Sequence, residues 1–103
     1  MHRYRITVQV KFGRFKEHME ICESLNDVAR ARGWTESTLW VPTVGVGNQV
    51  IIEWDYPDLA TFEREGEAFN TDAEARALIP GLVDCIVEGS THSELLQPVP
   101  TLA

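Results

Sequence analysis

From residue 3 to residue 12 apolar and polar side chains alternate without a break. Tyr4, Ile6, Val8, Val10 and Phe12 fall on one side, and Arg3, Arg5, Thr7, Gln9 and Lys11 on the other. A period of two marks a half-buried β-strand, so the first strand is expected here. Gly13 interrupts it. Phe15, Met19, Cys22, Leu25 and Ala29 then recur at the spacing of an amphipathic helix, which leaves His18 on the helix surface. Gly33 closes that helix after Arg30 and Arg32, whose charges suit a helix C-terminus.

A second strand over 37–46 is β-branched and aromatic. It contains Pro42, which has no N–H to give to a ladder, so the strand belongs at a sheet edge or carries a bulge. The turn Gly45-Val46-Gly47-Asn48 leads into a third strand over 49–56. Val50, Ile52, Trp54 and Tyr56 share one of its faces, and Gln49, Ile51, Glu53 and Asp55 the other. Asp58 is placed to cap a following helix whose buried stripe is Leu59, Phe62, Gly66 and Phe69. A mid-helix glycine costs about 1 kcal/mol relative to alanine, so Gly66 is expected where another element packs close. A short helix over 71–78 takes Thr71 as cap and Glu74 at the capping-box position, and ends at Pro80-Gly81. Residues 82–89 alternate again and read as the last strand, leaving a domain over 1–94 and a C-terminal tail over 95–103 that lies on a surface or a partner.

This order is the split βαβ or ferredoxin-like arrangement, an α+β domain with a four-stranded antiparallel-type sheet and strands one and three at its centre. The helices cover one face. The other, with Thr7, Gln9, Ile51 and Glu53, is too apolar to leave wet and too polar for a monomer's core. A second copy laid against it is expected, giving a homodimer in which two sheets pack as a dimeric α/β barrel. At roughly 100 residues a domain buries only about two-thirds of the surface its unfolded chain exposes, which also favours a covering subunit.

Charge narrows the partners. Sixteen acidic against nine basic residues give a net charge of −7, and the basic ones form no stripe, so neither nucleic acid nor a membrane surface is an expected partner. The N-terminus lacks the apolar core of a signal peptide, and a cytoplasmic protein is the expectation. Cys22 and Cys85 stand in apolar surroundings without metal or redox spacing and read as buried free thiols.

The start RYRITVQV running into an amphipathic helix, the hairpin LWVPTVGVGNQVIIEWDYPDLATFE and the join ALIPGLVDCIVEGS together resemble the dimeric α/β-barrel superfamily, and within it the NIPSNAP-type proteins. The resemblance covers nearly the whole chain and consists of strands and turns more than of catalytic letters. It implies the dimeric fold. Other members of that superfamily are cofactor-independent monooxygenases and haem-degrading monooxygenases. The haem-degrading set combines an Asn on the first strand, a Trp on the third and a His on the second helix. Here Trp54 is present, but strand one offers Thr7 and Gln9, and the helix LATFEREGEAFN has no histidine to ligate iron, so no cofactor is expected.

The candidate proton-handling and hydrogen-bonding groups are Glu53, His92 and Gln9. A carboxylate enclosed between sheets would be raised in pKa and could move protons, and His92 could serve at a cavity mouth. Trp54, Trp40, Tyr56 and Arg5 are the candidate ligand-binding groups, with the rings stacking on a flat guest. Each has a plainer reading. Glu53 and Asp55 can pair with Arg5 and Arg3 on the neighbouring strand, large rings on strands ordinarily fill a core, and the GSTHSE segment around His92 can simply be solvated. No histidine pair has metal-ligand spacing, and no metal site is expected. Two functions stay open. One is a NIPSNAP-like dimer that binds a small apolar or aromatic ligand. The other is a cofactor-independent monooxygenase, isomerase or cyclase acting on a small aromatic.

Overall fold

Strict alternation makes β1 (His2–Gln9) the divider of the molecule, with Tyr4, Ile6 and Val8 facing the helices and Arg3, Arg5, Thr7 and Gln9 facing away. A computed structural model describes residues 1–100. After β1 come α1 (Phe15–Arg32), β2 (Thr38–Trp40), β3 (Gln49–Tyr56), α2 (Leu59–Thr71), α3 (Ala73–Asp84) and β4 (His92–Leu96). The sheet is antiparallel throughout, in the order β2-β3-β1-β4. Strands β1 and β3 therefore hold the centre and β2 an edge, as the pattern predicts. Val8, Val10, Cys22, Val50 and Ile52 form the core between sheet and helices.

Local chemistry sets the helix ends. Gly33 takes a left-handed φ of 73°, and the N–H groups of Gly33 and Trp34 return to the carbonyls of Arg30 and Ala29 at 3.3 and 2.8 Å. The Asp58 side chain accepts from the Thr61 N–H at 2.7 Å and so caps α2.

Several expectations are corrected. His18 is not on the helix surface but fully buried, because α1 packs against α3 as well as the sheet and its hidden arc is wider than one stripe. Gly66 has nothing within 4 Å of where a Cβ would stand, so close packing does not explain it. Asp72, not Thr71, caps α3, accepting from Ala75 N–H at 3.0 Å while also binding Arg32 Nε at 2.8 Å, which ties α3 to the end of α1. Pro80-Gly81 does not end α3. Packing on α1 carries the helix to Asp84, and Gly81 lies where a Cβ would come within 3.3 Å of Ile21 Cδ1.

The last strand is displaced for the same reason. Leu82–Asp84 completes α3, and the strand pairing there is reduced to an isolated bridge between Ile86 and Val10. The ladder proper is β4, with Thr7 opposite His92 and Arg3 opposite Leu96. Between these two pairings the chain bulges through Gly89, at φ 80°, and Ser90 Oγ pins the bulge by donating to Val87 O at 2.7 Å. Leu95 and Leu96, expected in the tail, thus belong to the sheet. Residues 101–103 of that tail lie outside the described residues. Strand β2 is shorter than expected. It pairs over three residues and stops two short of Pro42, and 41–48 form an irregular loop in which Asn48 takes φ 59°.

Candidate functional site

The two sheet faces carry different chemistry. On the face away from the helices, Arg5 Nε donates to Glu53 at 2.7 Å, and Arg3 grips Asp55 through two bonds of 2.7 and 3.1 Å. The hydrogen bond from Arg3 holds the Asp55 carboxyl below its ordinary range. The Gln9 amide donates to Gly47 O at 2.6 Å, fastening the loop after β2. His92 opens β4 with its ring 4.0 Å from Glu94 and mostly exposed, and Trp40 lies beside Ile51, about half exposed. Glu53, His92, Gln9, Arg5 and Trp40 are therefore brought onto one surface. There Glu53 and Gln9 are already committed to bonds within the fold.

Trp54 and Tyr56 point the other way, into a cavity of about 490 Å³ between sheet and helices. Tyr4 and Trp54, opposite each other on β1 and β3, have ring centroids 5.5 Å apart, and Phe62 of α2 meets Tyr4 and Tyr56 edge-on at 5.4 and 5.3 Å. Trp34 and Phe69 form a further pair at 6.4 Å. A cavity of this size, mostly apolar with a few polar groups, is what a small-molecule site requires. A second, shallower hollow of about 390 Å³ lies under the loop 41–49 against Phe15 and gathers no comparable rings.

Few polar groups enter the larger cavity. Asn26 is occupied: its Oδ1 accepts from Ser37 N–H and hydroxyl at 2.8 and 2.9 Å and its Nδ2 donates to Ser37 O at 3.1 Å. Glu65 of α2 is held by Thr35, whose N–H donates to Oε1 at 2.6 Å and whose hydroxyl donates to Oε2 at 3.3 Å. Burial, followed by the charge of Glu65, pushes the Tyr56 phenol up to about 12. Cys22, also lining the cavity, is pushed up to about 11, first by burial, and stays a thiol at neutral pH. Among the described residues no cluster of three His, Cys, Asp or Glu side chains could hold a metal ion, and no helix is long and apolar enough to cross a membrane.

A family model described as NIPSNAP matches residues 6–103. The chain belongs to the NIPSNAP family. An uncharacterised NIPSNAP domain protein from Burkholderia xenovorans is 20% identical over 100% of this chain and 99% of its own, with a TM-score of 0.78. A NIPSNAP family protein from Agrobacterium tumefaciens is 21% identical, covering 95% and 92%, with a TM-score of 0.77. A putative antibiotic biosynthesis monooxygenase from Nitrosomonas europaea shares the fold at a TM-score of 0.74 with 9% identity over 97% of this chain and 100% of its own. No curated protein matches the chain.

In this NIPSNAP domain, sequence reasoning found Trp54 and Tyr56 but missed Glu65, Tyr4, Phe62 and Trp34 as members of one site. A signal for Glu65 was present. It stands beside Gly66 within the apolar stripe of α2, three residues after Phe62 and four before Phe69, where a carboxylate has no reason to be unless something polar meets it.

Proposed function

We propose that this NIPSNAP domain binds a small apolar or aromatic ligand in the cavity between its sheet and helices, and that it does so as a homodimer. The carrying observation is the cavity itself: about 490 Å³, walled by aromatic rings from β1, β3 and α2, with Glu65 as its one charged group among the described residues. The exposed face of Arg5, Glu53, Thr7, Ile51 and Trp40 is the surface offered to a second copy. The charges of Arg5 and Glu53, and of Arg3 and Asp55 beside them, are already paired, so covering them strands neither pair. Two buried free thiols, Cys22 and Cys85, support placement in a reducing compartment such as the cytoplasm.

A cofactor-independent monooxygenase or an isomerase remains the second reading. The observation favouring it is Glu65, a carboxylate at the edge of an apolar pocket where a base would have to stand. Glu53, Gln9 and His92 lie across the sheet from that pocket.

The three tryptophans separate cavity binding from surface binding. Trp34 and Trp54 line the cavity and Trp40 does not. On titration with flat aromatics, the Trp40→Phe variant should keep the full change in tryptophan fluorescence. A signal that disappears with Trp40 would place the ligand on the outer face and refute the cavity. Sedimentation at micromolar concentration should give twice 11.6 kDa, and a clean monomer would sink the covered-face argument.

A further inference from the structure

The larger cavity is charged on one side only. Its lining contains no arginine, lysine or histidine among the described residues, and Glu65 takes part in no ion pair there. The contrast with the opposite face is sharp, since Glu53 and Asp55 each meet an arginine at 2.7 Å. Glu65 is nevertheless a fixed group. Thr35 uses one lone pair on each of its oxygens, leaving about two of the four acceptor positions of a carboxylate open.

We propose that the guest of this cavity is an apolar amine bound as its ammonium ion, with its nitrogen on Glu65 and its hydrocarbon body against Tyr4, Trp54, Phe62 and Tyr56. The proposal rests on the ligand-binding reading above and names the ligand class. An ammonium group supplies donors to the free lone pairs of Glu65, and charge-assisted bonds of this kind are the strong ones. The faces of the surrounding rings carry negative potential and attract a cation further. A carboxylate or phosphate ligand would instead enter a low-dielectric pocket beside a fixed negative charge with no counter-charge to meet it. Asn26, bonded to Ser37 through its oxygen and one N–H, and Asn70 are neutral amides and supply no counter-charge for an anion. The net charge of −7 on the chain enriches cations around it and repels anions.

The test uses three probes of matched aromatic body: phenethylamine, phenethyl alcohol and phenylacetate, titrated calorimetrically near neutral pH at low salt. The amine should bind about tenfold more tightly than the alcohol, and phenylacetate more weakly than either. Glu65→Gln, which keeps an acceptor for the Thr35 N–H, should abolish the preference for the amine over the alcohol. Equal binding of amine and alcohol by the native protein, or a Glu65→Gln variant that still prefers the amine, overturns the ammonium assignment while alcohol binding leaves the cavity reading standing. The comparison in the native protein does not depend on the variant folding. Binding of none of the three at millimolar concentration overturns both.

Discussion

Acidifying this domain from neutral pH towards about 5 should destabilise it through His18. The ring is fully buried, its Nε2 has no partner, and its Nδ1 lies 3.7 Å from the Cys22 sulfur. An imidazolium needs acceptors for two N–H groups, and here only a thiol faces it, so burial holds the His18 pKa below the ordinary histidine range. The sign follows from linkage. An unfolded histidine titrates near about 6.5, and above that neither state binds the proton. Below it the unfolded chain takes up a proton that the folded one refuses, and stability falls with a slope of up to about 1.4 kcal/mol per pH unit until the folded pKa is reached. Over a drop of about 1.5 units the loss is up to about 2 kcal/mol, a large share of the 5–15 kcal/mol typical of domains.

The carboxylates held low by their partners leave that window clear. Asp55 is held low by Arg3, Asp72 by Arg32, Asp84 and Glu17 by Arg14, and Asp58 by its bonds from Thr61. With depressed pKa values, their contributions are complete above the unfolded carboxylate range near about 4 and are lost only as pH falls further. Urea melts of the native protein and of His18→Leu, each at neutral pH and near pH 5, isolate the effect, because His2 and His92 are present in both. The native protein should lose stability between the two conditions and the variant much less. At neutral pH the variant should also be no less stable, since it removes an unpartnered polar atom whose burial costs about 1–3 kcal/mol. An identical pH slope in both proteins would refute the reasoning.

Gly66→Ala should stabilise the domain by about 1 kcal/mol, because α2 gains helix propensity and the new Cβ meets nothing within 4 Å. At this chain length that is about 4–8 °C in Tm by calorimetry, and a loss of stability would show that something packs there after all. A thiol reagent at neutral pH should leave the folded protein almost untouched and count two thiols after denaturation, since burial raises both Cys22 and Cys85. A count of zero without reductant would establish a disulfide.

What the sequence showed was what period and punctuation control. The alternation of 3–12 placed β1, the run 49–56 placed β3, Gly33 ended α1 and Asp58 began α2, because each of these signals is local and nothing remote opposes it. The errors at the end of the chain share one origin in α3. Proline at 80 and the alternation Val83, Cys85, Val87 are genuine breaker and strand signals. Side-chain packing between α1 and α3 outweighs both, and no local pattern reports a helix–helix contact between residues some sixty positions apart. Once α3 runs on to Asp84, the sheet must take its fourth strand from His92–Leu96, whose polar start reads as tail. His18 was misplaced because α1 is covered by α3 as well as by the sheet, so burial extends beyond one stripe. The site was half legible. Alternation put Trp54 and Tyr56 on one face, but the rings that complete their pocket come from α1's end and α2.

Glu53 and Glu65 show why an acid near aromatic residues cannot be assigned a role from sequence neighbours alone. Glu53 sits between Ile52 and Trp54 in the chain, yet its side chain projects to the opposite face, where the register of β1 delivers Arg5 at 2.7 Å. That pairing satisfies the charge of Glu53 within the fold. Glu65 has no aromatic neighbour within two residues in sequence, but one turn of α2 sets it among rings delivered by three other segments, and no arginine in the register reaches it. The fold thus neutralises the acid that looked catalytic and leaves open the one that did not. A carboxylate that lines an apolar pocket with acceptor positions open and no basic side chain beside it is suited to a positively charged guest.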